Sequence, residues 1–354
     1  MTMQADFAQA PSWSLPQFVY RNRLLLRLVV IYFLIAFCAA EILDTPFHLR
    51  TVSMLGVVFS VMAPILLILL AVRHLLVLAI FVRPKNPSQQ FISDTKTVFF
   101  DVDRMLSGLT ALLAISLFIG AFSYLKSAIP EIDYFSWDPM LADIDRAMHF
   151  GVDPYKITMA LFGTPLATSA LNANYHLWLF LNYFVVLLAC FSKTDTISRN
   201  TFLIAYVLVW SIGGNGFAIF FSSAGPVYYE ALGNGTTFAP LMETLHSFHE
   251  ISPVWALNVH DMLWQGLVGD GAVKGISAMP SMHVASSVLM TLFAYRYARW
   301  AGQVMLVFTV LIMFGSVHLA WHYALDGYVS IPLTLICWKA AGWLARRQER
   351  GEVN

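Results

Sequence analysis

Charge is scarce in this chain. Lysine, arginine, aspartate and glutamate together make up 12% of its 354 residues and cancel to a formal net charge of zero. Without a basic surplus there is no electrostatic footprint for nucleic acid, and that partner class is excluded. Cysteine is nearly absent. Cys38, Cys190 and Cys337 stand alone in apolar runs, which excludes a disulfide framework and any cysteine-based metal spacing. Low-complexity tracts are missing, and no polar stretch is long enough to fold as a separate soluble domain. No small-residue cleavage site follows the first apolar run, so that run reads as a retained helix behind a polar interfacial tail over residues 1–22.

What fills the sequence is hydrophobic side chain, 58% of it. Runs of about 20 residues, the length that crosses a bilayer, recur along the chain. The spans are predicted near 24–43, 52–72, 105–126, 173–191, 201–221, 283–299, 302–319 and 324–344, with Leu75 to Val82 extending the second or lying in the interface. The expected fold is an all-α polytopic membrane protein with about eight transmembrane helices. Placing the N-terminus inside leaves only Arg50, Lys126, Arg146, Lys156 and Lys274 outside, of 21 lysines and arginines. The other sixteen fall inside, which predicts an N-in, C-in topology with two long outer loops, about 127–172 and 222–282.

Against this background two segments stand out, Ala278-Met279-Pro280-Ser281-Met282-His283 and His318-Leu319-Ala320-Trp321-His322-Tyr323-Ala324-Leu325-Asp326. His318, His322 and Asp326 recur every four residues, which predicts one face of a helix. A histidine oriented by a carboxylate one turn away is a frequent form of nucleophile or general base. Two bilayer crossings and a tight turn account for the 39 positions from His283 to His322, so both are expected at the same outer membrane level. Pro280 and Ser281 read as the entry and N-cap of the helix that His283 opens, with its first amides aimed outward.

These residues resemble the type 2 phosphatidic acid phosphatase superfamily. Pro280-Ser281-Met282-His283 is similar to its Pro-Ser-Gly-His motif, and His322 with Asp326 to the His-x3-Asp end of its third motif. The methionine resembles the inositol-phosphorylceramide synthase, or inositolphosphotransferase-like, branch. The resemblance implies a six-helix catalytic core over 105–345, preceded by a tail and two extra helices (1–104) and followed by a cytoplasmic tail (346–354). It implies His322 as the nucleophile forming a phosphohistidine, Asp326 as its orienting partner, and His283 as general acid and then base. Neither a cofactor nor a metal is called for. The implied substrate is a phospholipid or sphingolipid, with a polyol as possible acceptor, worked on at the periplasmic, lumenal or exterior face.

The chain departs from the family at its phosphate clamp. The basic first motif is absent, replaced by Ser222-Ser223-Ala224-Gly225-Pro226-Val227-Tyr228-Tyr229, and the third motif's arginine falls on Ser316. Candidate substrate-binding residues are therefore His318, Ser281, Lys274, Lys126 and Tyr228, with backbone amides near Met282 and Gly225. In the first outer loop, Asp138 before Pro139 and Asp153 before Pro154 read as helix N-caps, and Met140, Leu141, Ile144 and Met148 as one interfacial helix. In the second, beside His260-Asp261, the spacing of His246, His249 and Glu250 would allow a metal, but without a third convincing ligand nearby they read as surface or gate residues, and the glycines around Asp270 as a mobile lid. Three rival functions stay open: a lipid phosphate or polyprenyl diphosphate phosphatase, a metalloprotein with zinc on His318, His322, Asp326 and His283, and a non-catalytic transporter or scaffold.

Overall fold

The computed structural model of the chain describes residues 16–193, 195–269 and 274–351. The first fifteen residues of the predicted tail and Asp270-Gly271 of the predicted lid lie outside them. Every regular element among the described residues is helical. In chain order these are α1 (Gln17–Ile42), α2 (Arg50–Val77, continued by a π turn over Leu78–Val82), α3 (Pro87–Phe99), α4 (Val102–Ser127) and the single turn α5 (Ile129–Ile132). The first outer loop holds α6 (Asp138–Met148) and α7 (Pro154–Phe162). Then come α8 (Pro165–Cys190) and α9 (Thr196–Ser211), which passes through a π segment (Ile212–Phe217) into α10 (Ala218–Phe220). The remainder are α11 (Ala239–Ile251), α12 (Trp255–Val268), α13 (Met282–Tyr297), α14 (Arg299–His318) and α15 (Ala324–Glu349).

Seven helical stretches are long and apolar enough to cross a bilayer, and the chain is an integral membrane protein. They are Gln17–Ile42, Leu55–Val82, Val102–Ile132, Pro165–Cys190, Thr196–Phe220, Arg299–His318 and Ala324–Glu349. The remaining predicted span is α13, only 16 residues long. It packs among α8, α9, α14 and α15, so protein covers most of it. The fourth span starts eight residues earlier than the hydropathy indicates, at Pro165 behind the capping Thr164. Its first turns carry Thr168 and Asn172, both fully buried, which lower the apolar signal but bond to neighbouring elements.

In a bilayer, water does not drive helices together, so close packing of small residues must. On α1, Val29, Tyr32, Ala36 and Ala40 recur at helical spacing and are buried with Ala111, Ala114, Phe118 and Ala121 of α4. α9 runs against α15, and α13 against α14. α2 is mostly lipid-facing: only 6% of its apolar window is buried. At the far end from the histidines, buried Arg199 donates to Cys190 O, Asn200 Oδ1, Asn22 Oδ1 and Ser107 O. The negative C-terminal end of α8 receives that charge and ties α1, α4, α8 and α9 together.

The π segment after α9 brings the bundle onto the start of α13. A Cβ on Gly213 would fall 2.8 Å from Leu333, and one on Gly214 2.7 Å from Phe122. Both would lie within 3.5 Å of Met282 Sδ. Glycine is what lets this segment press against the residue preceding His283.

Candidate active site

The turn carrying His322 is built by a left-handed residue. α14 ends at His318, Ala320 adopts φ +62°, and α15 begins only at Ala324. The amides of Trp321 and His322 both donate to Ser316 O, at 3.1 and 3.0 Å, closing a Schellman-type cap that reverses the chain. The expectation that His318, His322 and Asp326 share one helix face is therefore wrong. His318 faces a separate polar nest, with Nε2 2.9 Å from Thr168 Oγ1 and Nδ1 3.3 Å from Thr158 Oγ1, and it is fully buried. Both ring nitrogens are occupied there, which withdraws His318 from the set of candidate phosphate ligands.

His322 and Asp326 meet across the start of α15 all the same. His322 Nδ1 lies 2.8 Å from Ala278 O and 3.2 Å from Asp326 Oδ2. Both partners are acceptors, so Nδ1 carries the proton and Nε2 keeps its lone pair. Asp326 is wholly buried, and its Oδ2 also accepts the Tyr323 amide at 3.0 Å. Its Oδ1 is buried with no hydrogen-bond partner among the described residues. The Ala278 carbonyl is the shorter of the two contacts, and no side-chain motif announces it.

His283 occupies the second position of α13. Ser281 caps that helix, Oγ accepting the Val284 amide at 3.4 Å. The Ser281 amide donates to Asp326 O, and Ser330 Oγ donates to Ser281 O at 2.8 Å. The two histidine-bearing helices are thus bolted at their starts. The His283 ring stacks on Tyr175, centroids 4.4 Å apart, and lies 4.1 Å from the Trp178 ring. The His322 ring is 6.0 Å away at 64°. Trp178 is itself fixed, its Nε1 donating to Ser286 Oγ at 2.7 Å.

Both histidines open onto one cavity of about 320 Å³. Its walls include the rings of Tyr175, Trp178, Trp210, Tyr228 and Trp321, and Lys126 is the single lysine or arginine on them among the described residues. Among the described residues no carboxylate lines it. The Lys126 stem crosses Gly275, where a Cβ would sit 3.3 Å from its Cγ. Tyr228 presents its ring, because its hydroxyl donates to His260 O at 2.9 Å. Lys274 is exposed and lies outside the lining, so the structure does not bring it to the histidines.

The acidic residues of the first outer loop do more than cap their own helices. Asp138 is the first residue of α6, and its carboxylate accepts the amides of Ala224 and Gly225 at 2.7 and 2.9 Å. Those amides, expected as phosphate donors, are therefore taken. Asp145 accepts the amides of Ala324 and Leu325. Asp153 does precede α7, but its side chain is held by Arg146 at 2.7 Å and Lys156 at 2.8 Å. Leu141 is buried while Met140 and Met148 are exposed, so α6 keeps only part of the predicted apolar stripe outside. In the second loop His249 Nδ1 accepts the Val254 amide, and burial pushes the His260 imidazole down to about 3. With His318 turned away, the four-residue zinc set is not assembled, and no group of three or more His, Cys, Asp or Glu among the described residues could hold a metal ion.

Comparison with known proteins returns no matching curated protein and no matching solved structure. A family model of the PAP2 superfamily matches residues 139–340, from the second residue of α6 to within α15. That segment carries both histidines, Asp326 and the turn between α14 and α15, and it leaves α4, with Lys126, outside. Covering more than half of the chain, the match makes this protein a member of the PAP2 superfamily and a phosphatase-type membrane enzyme.

Proposed function

We propose that the protein is a lipid phosphotransferase of the inositolphosphotransferase-like branch, working through a phosphohistidine at the outer membrane face. The observation that carries this reading is the His322 ring, its Nδ1 donated to two acceptors and its Nε2 left as nucleophile, 6.0 Å from the His283 ring in the same cavity. His322 Nε2 attacks phosphorus and the bond from phosphorus to the leaving oxygen breaks, with His283 as imidazolium giving that oxygen its proton. Asp326 stabilises the charge that develops on His322. The acceptor hydroxyl then gives its proton to His283 and attacks phosphorus, and the N–P bond breaks to restore His322.

Lys126 and the first-turn amides of α13, Met282 and His283, supply the electrostatic stabilisation that the family's missing basic motif would give. A cavity that carries a lysine and, among the described residues, no carboxylate suits an anionic donor. The six helices α4, α8, α9 and α13–α15 form the catalytic core, since Lys126 of α4 lines the same cavity. The positive-inside count supports an N-in, C-in orientation, which puts the cavity on the outer side.

Two outcomes test this. Protein in phospholipid vesicles with a head-group-labelled phospholipid and a polyol acceptor is expected to give a new labelled phosphodiester. Release of the labelled head group as its phosphate monoester, with water in place of the polyol, would assign the chain to hydrolysis instead. Lys126→Met is expected to lower kcat/KM by about 10- to 100-fold, the worth of one charge-assisted hydrogen bond to phosphate. Lys274→Met, outside the cavity, should stay within about twofold of wild type; a larger loss there would mean that the loop closes over the substrate.

A further inference from the structure

We infer that Asp138 and Asp145 of α6 are positioning residues for the His322–Asp326 pair, a step that rests on the phosphohistidine reading above. They are seven residues apart, two turns of one helix face, and are 0% and 3% exposed. Asp138 Oδ1 accepts the Gly225 amide at 2.9 Å and the Tyr323 hydroxyl at 2.8 Å, while Oδ2 accepts the Ala224 amide at 2.7 Å. Asp145 takes the next two amides of the catalytic turn, Ala324 at 2.9 Å and Leu325 at 3.0 Å. Residues 323, 324 and 325, all that separates His322 from Asp326, are therefore each held by α6.

The same helix sets the opposite cavity wall. Through Ala224 and Gly225, Asp138 fixes the turn that replaces the family's first motif. A Cβ on Gly225 (φ +98°) would lie 2.5 Å from Trp321 O, so this turn is seated directly against the residue before His322. The Val227 amide donates to Ala320 O at 3.0 Å, and the Ala278 amide to Ser223 O at 2.8 Å. Ala278 is the residue whose carbonyl holds His322 Nδ1. Ring, carbonyl and carboxylate are thus registered to one another through segments that converge on two side chains of α6. Burial pushes both carboxyls above their ordinary range, while the amide bonds they accept pull them back. A cap serving stability alone is met more cheaply at the surface.

Orthovanadate, which takes the five-coordinate geometry of in-line phosphoryl transfer, tests this without knowledge of the lipid. In purified full-length protein, Asp145→Asn turns an amide group toward one backbone N–H and should weaken vanadate binding by about 10-fold or more, the scale of a small misplacement. Tyr323→Phe keeps the ring and removes only the link to Asp138; it should weaken vanadate by at least about threefold. Folding of each variant is checked by its thermal-unfolding midpoint, and if Asp145→Asn does not fold, Tyr323→Phe decides. Folded variants that bind vanadate as wild type does would overturn the positioning role. His322→Ala separates the two ideas, because undiminished vanadate binding in that variant would defeat the phosphohistidine reading itself.

Discussion

A His322→Ala enzyme is expected to lose phosphoryl turnover by about 10⁴-fold or more, the scale on which deleting the nucleophile of a covalent mechanism acts. The His322 Nδ1 is committed to both a carbonyl and a carboxylate, and its ring opens onto the cavity. With Nδ1 donating to those two acceptors, Nε2 is the ring nitrogen that carries the lone pair. Wild-type protein quenched in base after exposure to a phosphorus-labelled donor should retain label as an acid-labile, base-stable phosphoramidate. His322→Ala should retain none. Removing the ring also takes the His322 donor from Ala278 O, at about 1–3 kcal/mol for that orphaned carbonyl, and leaves Asp326 Oδ2 with the Tyr323 amide. The variant must therefore be shown folded before its inactivity is read as chemistry. Label retained by the folded variant would move the nucleophile elsewhere.

The large features of this protein were legible because they follow from solvent and length alone. Apolar runs of bilayer length and the spacing of His283 and His322 sufficed to place two helices antiparallel with their histidines together. Periodicity failed where the chain turns. Three residues at intervals of four read as a helix stripe, yet Ala320 in a left-handed conformation breaks the helix between His318 and His322, and an alanine gives no warning of it. The Asp138 and Asp145 contacts were illegible for a different reason. A carboxylate before or inside a short helix reads as a local cap, and only tertiary placement shows that its acceptors serve amides more than 80 residues away. The carbonyl of Ala278 lay beyond any motif, since backbone groups carry no sequence signature. Lys126 could be named but not ranked against Lys274, because the difference between them is burial at one cavity.

The second large effect belongs to His283. Its ring packs against Tyr175 and the Trp178 indole, which Ser286 fixes in turn, and opens onto the cavity it shares with His322. His283→Gln keeps a polar side chain of similar reach but cannot carry a proton between leaving group and acceptor. With a natural lipid donor, whose leaving alkoxide needs that proton, turnover should fall by about 10²- to 10⁴-fold, the usual weight of general acid catalysis. With a nitrophenyl phosphodiester the leaving group departs as a stable anion, so the first half-reaction should survive. The second half-reaction should not, because the acceptor hydroxyl still has to lose its proton. The variant is therefore expected to release one nitrophenolate per enzyme in a burst and then stall as the phosphohistidine, whereas wild type turns over steadily. An equal loss with both donors, and no burst, would show that His283 only shapes the cavity. A burst that is absent from the His283→Gln, His322→Ala double variant would assign acid–base work to one ring and nucleophilic attack to the other.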